Sequence, residues 1–184
     1  MSDEITKINT IFHKFGHNLL GQGIKFIRMA YKLNPKVFTR RVIMEFLKDQ
    51  TGLPANTISL VDEKYYVETW GKIGQIIDFD LIDQQIYHYD FLDCDNYAFA
   101  YASRAGLIYG LNSCGVAFGS VHNPITKKLI GYHAFNLIIT QENGLLKGYL
   151  YEPMTDGAVE WRKGQDNALL NPGWVYRINW LIYY

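Results

Sequence analysis

Apolar side chains recur at steps of three and four through the first fifty residues, which is the spacing of amphipathic helices. The pattern predicts a first helix from about residue 3, a second over Asn18 to Leu33, and a third that starts at Pro35 and stops near residues 51–54. The third helix is expected to bury five apolar side chains: Val37, Phe38, Val42, Phe46 and Leu47. Residues 1–60 are therefore expected to form a structural helical layer. The alternative is a regulatory or recognition element that covers a cleft.

From Lys64 onward the pattern changes to aromatic and β-branched runs. Residues 65–70 predict a strand, whereas residues 76–83 fit neither a helix nor a strand. Residues 94–110 are rich in alanine, end in glycine and predict a packed helix that begins at Cys94. The buried stripe of that helix is expected to contain Ala98, Ala102 and Leu107.

After Gly110 four runs alternate or stay apolar and predict the strands of an antiparallel sheet: 115–121, 131–140, 146–152 and 174–184. Helices followed by one central helix and then by a sheet are typical of an α+β fold. No linker or internal repeat interrupts the chain. The expected organisation is one domain over 1–184, with a helical layer (1–60) and a core (61–184).

Composition and charge exclude several classes of protein. With 48% apolar residues among 184, the chain is unlike a disordered segment. Eighteen basic and eighteen acidic residues cancel, which argues against nucleic-acid binding and favours self-association, with a homodimer as one form. No apolar run approaches the ~20 residues of a membrane span. Because the N-terminal residues do not form a secretory signal, the expected location is the cytoplasm, with release or non-classical export left open.

The two cysteines, Cys94 and Cys114, form no CxxC pattern, so both are expected to be reduced. Cys94 is the candidate nucleophile because a thiol at a helix N-terminus is favoured as the thiolate. The competing interpretation is an inert buried cysteine. Asp93 and Asp95 flank Cys94 and favour the edge of a cleft. Cys114 is expected to be a structural thiol.

His133 is the candidate base, and Glu152 the carboxylate that orients it. With a four-residue loop at 141–144, His133 lies directly opposite Glu152 across the hairpin. With Asn143-Gly144 as a two-residue turn, Glu152 is the diagonal neighbour of His133 instead. Both registers place the two side chains on one face, while an odd-length loop would separate them.

Three short motifs, Asp93–Ala98, Tyr132–Asn136 and Leu150–Pro153, carry a resemblance to a known superfamily. Over about residues 88–156 the chain resembles the papain-like and transglutaminase-like cysteine proteases. The most similar pattern is that of the C-terminal protease domain of Marasmius-type fungal agglutinins. The resemblance implies a papain-like core, a protein or peptide substrate, and hydrolysis of peptide bonds through a thioester. The implied catalytic residues are Cys94, His133 and Glu152. Alternatives are acyl transfer or deamidation at glutamine, and a non-catalytic binding module that keeps the fold.

The same resemblance suggests calcium as an optional cofactor, with none otherwise required. The oxygen ligands would be Asp93, Asp95, Asn96 and Asp156, although the two aspartates beside Cys94 could equally cap the helix. Papain-like enzymes commonly place a glutamine before the nucleophile to bind the oxyanion. The candidates here are Gln85 first and His88 second. Trp70 is expected either in a cleft wall or, more simply, in the core.

Overall fold

The computed structural model describes residues 22–27, 29–86, 93–168 and 173–184. These belong to two compact units, the first ending at Leu33 and the second running from Asn34 to Tyr184. In the first unit the chain is helical over 22–27 and 29–31, within the second predicted helix. The first predicted helix and His88 lie outside the described residues. The one-domain organisation stays a prediction.

The second unit has the α+β class predicted from the sequence. Its helices are α1 (Arg40–Thr51), α2 (Trp70–Phe79) and α3 (Cys94–Arg104), and α3 continues into a π-helical turn, Ala105–Tyr109. Its strands are β1 (Lys36–Thr39), β2 (Ile58–Leu60), β3 (Lys64–Val67), β4 (Cys114–His122), β5 (Leu129–Glu142), β6 (Leu145–Glu152), β7 (Gly157–Glu160), β8 (Asn167–Ala168) and β9 (Val175–Tyr183). Short 3₁₀ turns occupy Ala55–Thr57 and Ile82–Gln84. None of the helices in this described part of the chain is long and apolar enough to cross a membrane.

The main sheet has seven strands in the order β2-β9-β4-β5-β6-β7, with β8 paired to β9. All its pairs are antiparallel except β2 with β9, which is parallel, so the sheet is mixed rather than purely antiparallel as expected. The parallel pair is possible because a long crossover separates the two strands in sequence. β1 and β3 form a separate antiparallel pair.

The centre of the fold is β5, which is buried on both faces from residue 134 to residue 141. Phe135, Leu137 and Ile139 join a core cluster that includes Ile43 and Leu47 of α1. Such full burial supplies about 1.5–3 kcal/mol for each large apolar side chain.

Asn136 ties α3 to the sheet. Its side-chain amide is fully buried and donates to the carbonyl of Ala98 at 2.9 Å and to that of Gly115 at 3.1 Å. Rotation of the helix would break these bonds and leave the buried amide of Asn136 without partners, which is costly. The bonds therefore fix the orientation of the helix. The helix that starts at Cys94 is thereby held against β4 and β5.

The third predicted helix starts later than expected. Lys36–Thr39 is strand β1, paired with β3, and the helix begins only at Arg40. Thr39 is the N-cap, and its hydroxyl accepts from the Val42 amide at 3.5 Å. Val37 and Val42, expected to be buried, are 52% and 41% exposed. The prediction failed because two features outweigh the helical spacing of residues 36–39. Thr39 caps the helix at its N-terminus, and strand β3 pairs with these four residues.

The helix at Cys94 begins where predicted but changes geometry at its end. Ala98 and Ala102 are buried, whereas Leu107 is 73% exposed, contrary to expectation. The π turn, Ala105–Tyr109, contains Leu107, and its wider winding rotates the following side chains away from the stripe that α-helical spacing predicts. Gly110 then ends the segment with φ of +72°.

Trp70 begins α2 rather than ending a strand, and its ring stacks on Tyr149 of β6 at 3.9 Å between centroids. Trp70 is half-buried and lines neither of the two grooves around Cys94, so its assignment to the core stays a prediction. The unassigned stretch 76–83 contains the end of α2 and the start of the Ile82–Gln84 turn.

Candidate functional site

Cys94 is the first residue of α3, with Asp93 as the N-cap. The side chain of Asn96 accepts from the Asp93 amide at 3.2 Å, which closes a capping box around the thiol. Cys94 is half-buried and its thiol is free. The free N–H groups of the first helical turn favour negative charge at this position.

His133 lies between Cys94 and Glu152. Its Nε2 contacts Oε2 of Glu152 at 2.5 Å, and its ring lines the same two grooves as Cys94, close enough for Cys94 to raise the pKa of the imidazole. Because Nε2 is engaged by the carboxylate, Nδ1 is the nitrogen left for the thiol. The structure thus brings together a thiol, an imidazole and a carboxylate from three elements.

The hairpin between β5 and β6 explains how the histidine and the glutamate meet. Asn143 and Gly144 form a two-residue turn with φ of +54° and +89°, and Glu142 pairs with Leu145. Positive φ at both positions is the signature of a type I′ turn. Of the two registers consistent with the sequence, the structure has the one in which Glu152 is the diagonal neighbour of His133.

Electrostatics keep His133 charged at neutral pH. Burial by itself lowers the pKa of this imidazole, but hydrogen bonds and charge attraction from Cys94 and Glu152 outweigh it and raise the pKa to about 9. An imidazolium is therefore the main form below that pH. Cys94 therefore lies at a helix N-terminus and beside this cationic ring.

Glu152 is 3% exposed and accepts from three donors. Besides His133, these are the hydroxyl of Tyr176 at 3.2 Å and the amide of Met154 at 3.4 Å. The buried carboxylate also raises the pKa of Tyr176, although burial is the larger cause. A buried carboxylate with three donors is held in one orientation, so it fixes the imidazole in turn.

Two grooves of about 380 and 400 Å³ meet at this cluster. Both are lined by Cys94, Tyr132 and His133. The first groove is completed by Asp95, Phe118, Gly119, Ala134, Asn179 and Trp180. The second is completed by Glu152, Met154, Thr155 and Trp174. Volumes of this size are typical of small-ligand sites.

Sequence patterns missed the aromatic rim of these grooves. Tyr132 is 80% exposed and Trp180 is 49% exposed. Phe118 pairs with Trp180 and Gly119 with Ile178, so one residue of β9 is left over and forms a bulge. A bulge re-aims side chains near functional sites. A tryptophan near the chain end was a visible signal, but strand alternation does not reveal a bulge.

Among the described residues, neither predicted oxyanion donor is brought to the thiol. Gln85 is exposed, and its backbone carbonyl accepts from the Tyr97 hydroxyl at 2.5 Å. Neither groove has Gln85 in its lining. His88 lies outside the described residues.

The residues expected to bind calcium have other partners. Asp93 and Asn96 form the capping box, and a side-chain hydrogen bond to Asp93, followed by burial, raises the pKa of Asp95. Asp156 accepts from the Tyr151 hydroxyl at 2.6 Å. Within the described ranges no group of three or more His, Cys, Asp or Glu side chains is placed to hold a metal ion. The predicted ligand set does not converge, and calcium binding stays a prediction.

Cys114 is buried at the start of β4 and is also a free thiol. Burial raises the pKa of this thiol well above its ordinary value. The two cysteines therefore differ in environment, since only Cys94 has the imidazole and the helix terminus.

Comparison with known proteins identifies the fold. No family model and no curated protein matches the chain. Among solved structures, a Polyporus squamosus lectin bound to the human-type influenza-binding epitope Neu5Aca2-6Galb1-4GlcNAc matches with a TM-score of 0.56 at 18% identity, over 79% of this chain and 49% of that one. A second structure of this lectin, the complex of PSL1a with E64, matches with a TM-score of 0.54 at 18% identity. The match covers 79% of this chain and 50% of that one. The chain spans about half the length of these neighbours.

These findings correct the identification made from the sequence. The two solved structures named above are those of a lectin, and neither comparison of sequences supports a papain-like protease. The predictions of a cysteine protease, a thiol hydrolase and a protease family are contradicted on that ground. Three short motifs were too little sequence to carry a family assignment. The structural match shows the α+β fold alone and does not confirm a papain-like core.

Proposed function

We propose that this chain is a binding module and that it takes a glycan ligand in the two grooves around Cys94 and His133. The observation that carries the proposal is the exposed aromatic rim, Tyr132 and Trp180, beside polar groups in one continuous lining. The neighbouring lectin, which is bound to the epitope Neu5Aca2-6Galb1-4GlcNAc, supports the ligand class.

Sugar rings present both apolar C–H faces and hydroxyl groups. Tyrosine and tryptophan offer a rigid apolar face with a polar tip, which suits such ligands at small entropic cost. Asp95 and Asn179 provide acceptor oxygens in the first groove, and Thr155 provides a hydroxyl in the second. Apolar walls with a few convergent polar groups are typical of a ligand site.

The test is an array of immobilised glycans that includes the sialylated trisaccharide, followed by calorimetric titration of each hit. Tyr132→Ala and Trp180→Ala are expected to weaken binding by about tenfold or more each, because each removes a ring that contacts ligand. Leu145→Ala is the matched control, since Leu145 is 73% exposed but lies at the β5–β6 turn and lines neither groove. Retention of no glycan, or equal losses in all three variants, would contradict the proposal.

A second proposal concerns the thiol. Cys94, His133 and Glu152 are assigned the roles of nucleophile, base and orienting carboxylate. The 2.5 Å contact between His133 and Glu152, and the position of Cys94 beside His133 in both grooves, support the assignment. A binding module with such a group can capture an electrophilic ligand covalently. The thiolate forms a C–S bond as the bond from that carbon to its leaving atom breaks, and the imidazolium gives its proton to the leaving atom.

Alkylation rates test the thiol assignment. Iodoacetamide at neutral pH is expected to label Cys94 faster than the buried Cys114, and His133→Ala is expected to remove the difference. Peptide mapping by mass spectrometry reads both sites in one sample. Equal, slow labelling of both thiols would contradict the assignment.

Turnover of peptides tests whether the chain only binds its ligand or also uses Cys94 in catalysis. The wild-type chain and Cys94→Ala are incubated with a mixed peptide library, with and without calcium. A binding module leaves the peptides unchanged. Peptide cleavage, a mass gain of about 1 Da at glutamine, or cross-linking that depends on Cys94 would overturn the binding-module proposal while supporting the thiol assignment.

A further inference from the structure

A separate pocket lies at the other end of α3, about 18 Å along the helix from Cys94 at 1.5 Å per residue. Its volume is about 420 Å³, and its lining is distinct from that of the two grooves. The residues that matter here are Asp62, Tyr66, Ser103, Gly106, Leu107 and Tyr184. None of them has a role in the proposed glycan site.

The π turn opens this pocket. Gly106 lies in the turn, and a Cβ built on it would meet no atom within 4 Å. Leu107, the next residue, is 73% exposed, so an apolar side chain stands at the rim. Single π turns inside α-helices are frequent at functional sites.

Asp62 provides a fixed carboxylate. Its Oδ2 accepts from Nδ2 of Asn112 at 2.6 Å, and Asn112 is itself held by the amide of Tyr66 at 2.8 Å and the carbonyl of Lys64 at 2.9 Å. The backbone carbonyl of Asp62 accepts from Nε of Arg40 at 3.0 Å. The carboxylate is thus positioned before any ligand arrives.

In the part of the chain that the structure describes, the carboxylate of Asp62 forms no ion pair. Arg40, which contacts the backbone of Asp62, pairs instead with the carboxylate of Glu63 at 3.1 Å. A half-buried carboxylate without a cationic partner is a binding group for a donor or a cation.

Two tyrosines line the same pocket as the carboxylate. Tyr66 is 42% exposed, and the hydroxyl of Tyr184 shares a 2.9 Å hydrogen bond with Ser103 and donates to the Phe99 carbonyl at 3.3 Å. The Tyr184 hydroxyl is therefore already satisfied, which leaves its ring as the surface for a ligand. Aromatic rings beside a carboxylate favour organic cations, because the ring face attracts positive charge.

We propose that this pocket binds a small organic cation with an apolar body. The ammonium group pairs with the carboxylate of Asp62, and the apolar body lies against Tyr66, Leu107 and Tyr184. The inference does not depend on the glycan site or on the thiol, because the pocket shares no lining residue with either.

The test is a titration of the full chain with phenethylammonium, followed by amide chemical shifts in NMR. The shifts are expected to concentrate at Tyr66 and Asn112. The neutral analogue 2-phenylethanol, which keeps the ring and loses the charge, is expected to bind about tenfold more weakly. Asp62→Asn is expected to cause a similar loss, since an asparagine can still accept from Asn112 and keeps the local structure.

Two further variants complete the design. Gly106→Leu places a side chain in the open space of the pocket and is expected to abolish binding in a folded protein. Asp166→Asn removes an exposed charge elsewhere and is expected to leave binding unchanged. If Asp62→Asn fails to fold, two other measurements still test the proposal. These are the comparison of the charged and neutral probes and the binding by Gly106→Leu. No shift at the pocket, equal affinity for the two probes, or unchanged binding in Gly106→Leu would overturn the proposal.

Discussion

Replacement of Glu152 by glutamine tests how the buried carboxylate holds His133 in its charged form. Glu152→Gln keeps the size of the side chain and removes the negative charge 2.5 Å from the imidazole. The side chains of His133 and Glu152 are only 11% and 4% exposed, so water does little to replace the lost interaction. The pKa of His133 is expected to fall toward its ordinary value.

The magnitude follows from the titration of His133. Its pKa is about 9 in the folded chain against an ordinary value of 6.5. At about 1.36 kcal/mol for each pH unit, this difference corresponds to about 3 kcal/mol of folding free energy. Cys94 contributes part of it, so the loss in Glu152→Gln is expected to be about 2–3 kcal/mol at pH 6. The imidazole can release its proton, which limits the cost of losing the partner.

The sign of the pH dependence is determined by the raised pKa. A group whose pKa is higher in the folded state stabilises the fold fully below its unfolded pKa, here 6.5. That stabilisation is lost as the pH rises through about 9. The wild-type chain should therefore lose stability between these values, while Glu152→Gln should show a shallower dependence.

Urea denaturation at several pH values, together with NMR titration of the His133 ring, measures both quantities. Glu160→Gln is the matched control, because Glu160 lies on the neighbouring strand β7 and pairs with Lys147 at 3.4 Å on the surface. The reasoning would be refuted if Glu152→Gln kept the His133 pKa near 9, or if its stability followed pH as steeply as that of the wild type.

Two further predictions concern the scaffold of the site. Gly119 lies opposite His133, and a Cβ there would stand 1.9 Å from the carbonyl oxygen of Arg177. Because the backbone would have to move, Gly119→Ala should lower the free energy of unfolding by about 3 kcal/mol or more. Gly131→Ala, with open space around its Cβ, should change it by less than about 0.5 kcal/mol, and equal effects in urea denaturation would disprove the argument. Asn136→Leu removes the buried hydrogen bonds that join β5 to Ala98 of α3 and to Gly115 of β4, so it should cost about 2 kcal/mol in thermal unfolding. An unchanged midpoint would count against that role.

Local patterns in the sequence were enough to predict the parts of the site that depend on periodicity. The start of α3 follows from the change of composition at Cys94 and from a capping aspartate before it. The pairing of His133 with Glu152 follows from strand alternation and from the Asn143-Gly144 turn, whose positive φ values only such residues readily adopt. These signals depend on neighbours in sequence, so they survive without knowledge of the rest of the fold.

The same local patterns did not identify the family of the protein. Cys, His and Glu in that order match motifs of a protease superfamily, yet the chemistry of a site and the family of a protein are separate questions. The comparisons place the fold beside that of a lectin. The ligand now proposed depends on Trp180, which lies outside the three motifs, and on Tyr132, whose motif was interpreted as part of a protease.

The sequence alone therefore determined the α+β class, the principal strands of the sheet and the face on which His133 and Glu152 lie, because each is set by local spacing. Only the tertiary structure decided that β1 pairs with β3, that the π turn exposes Leu107, and that a bulge in β9 shapes the first groove. Each of these depends on contacts between segments far apart in the chain. Such contacts override local preference wherever a partner strand or a change in helical winding gives a lower free energy.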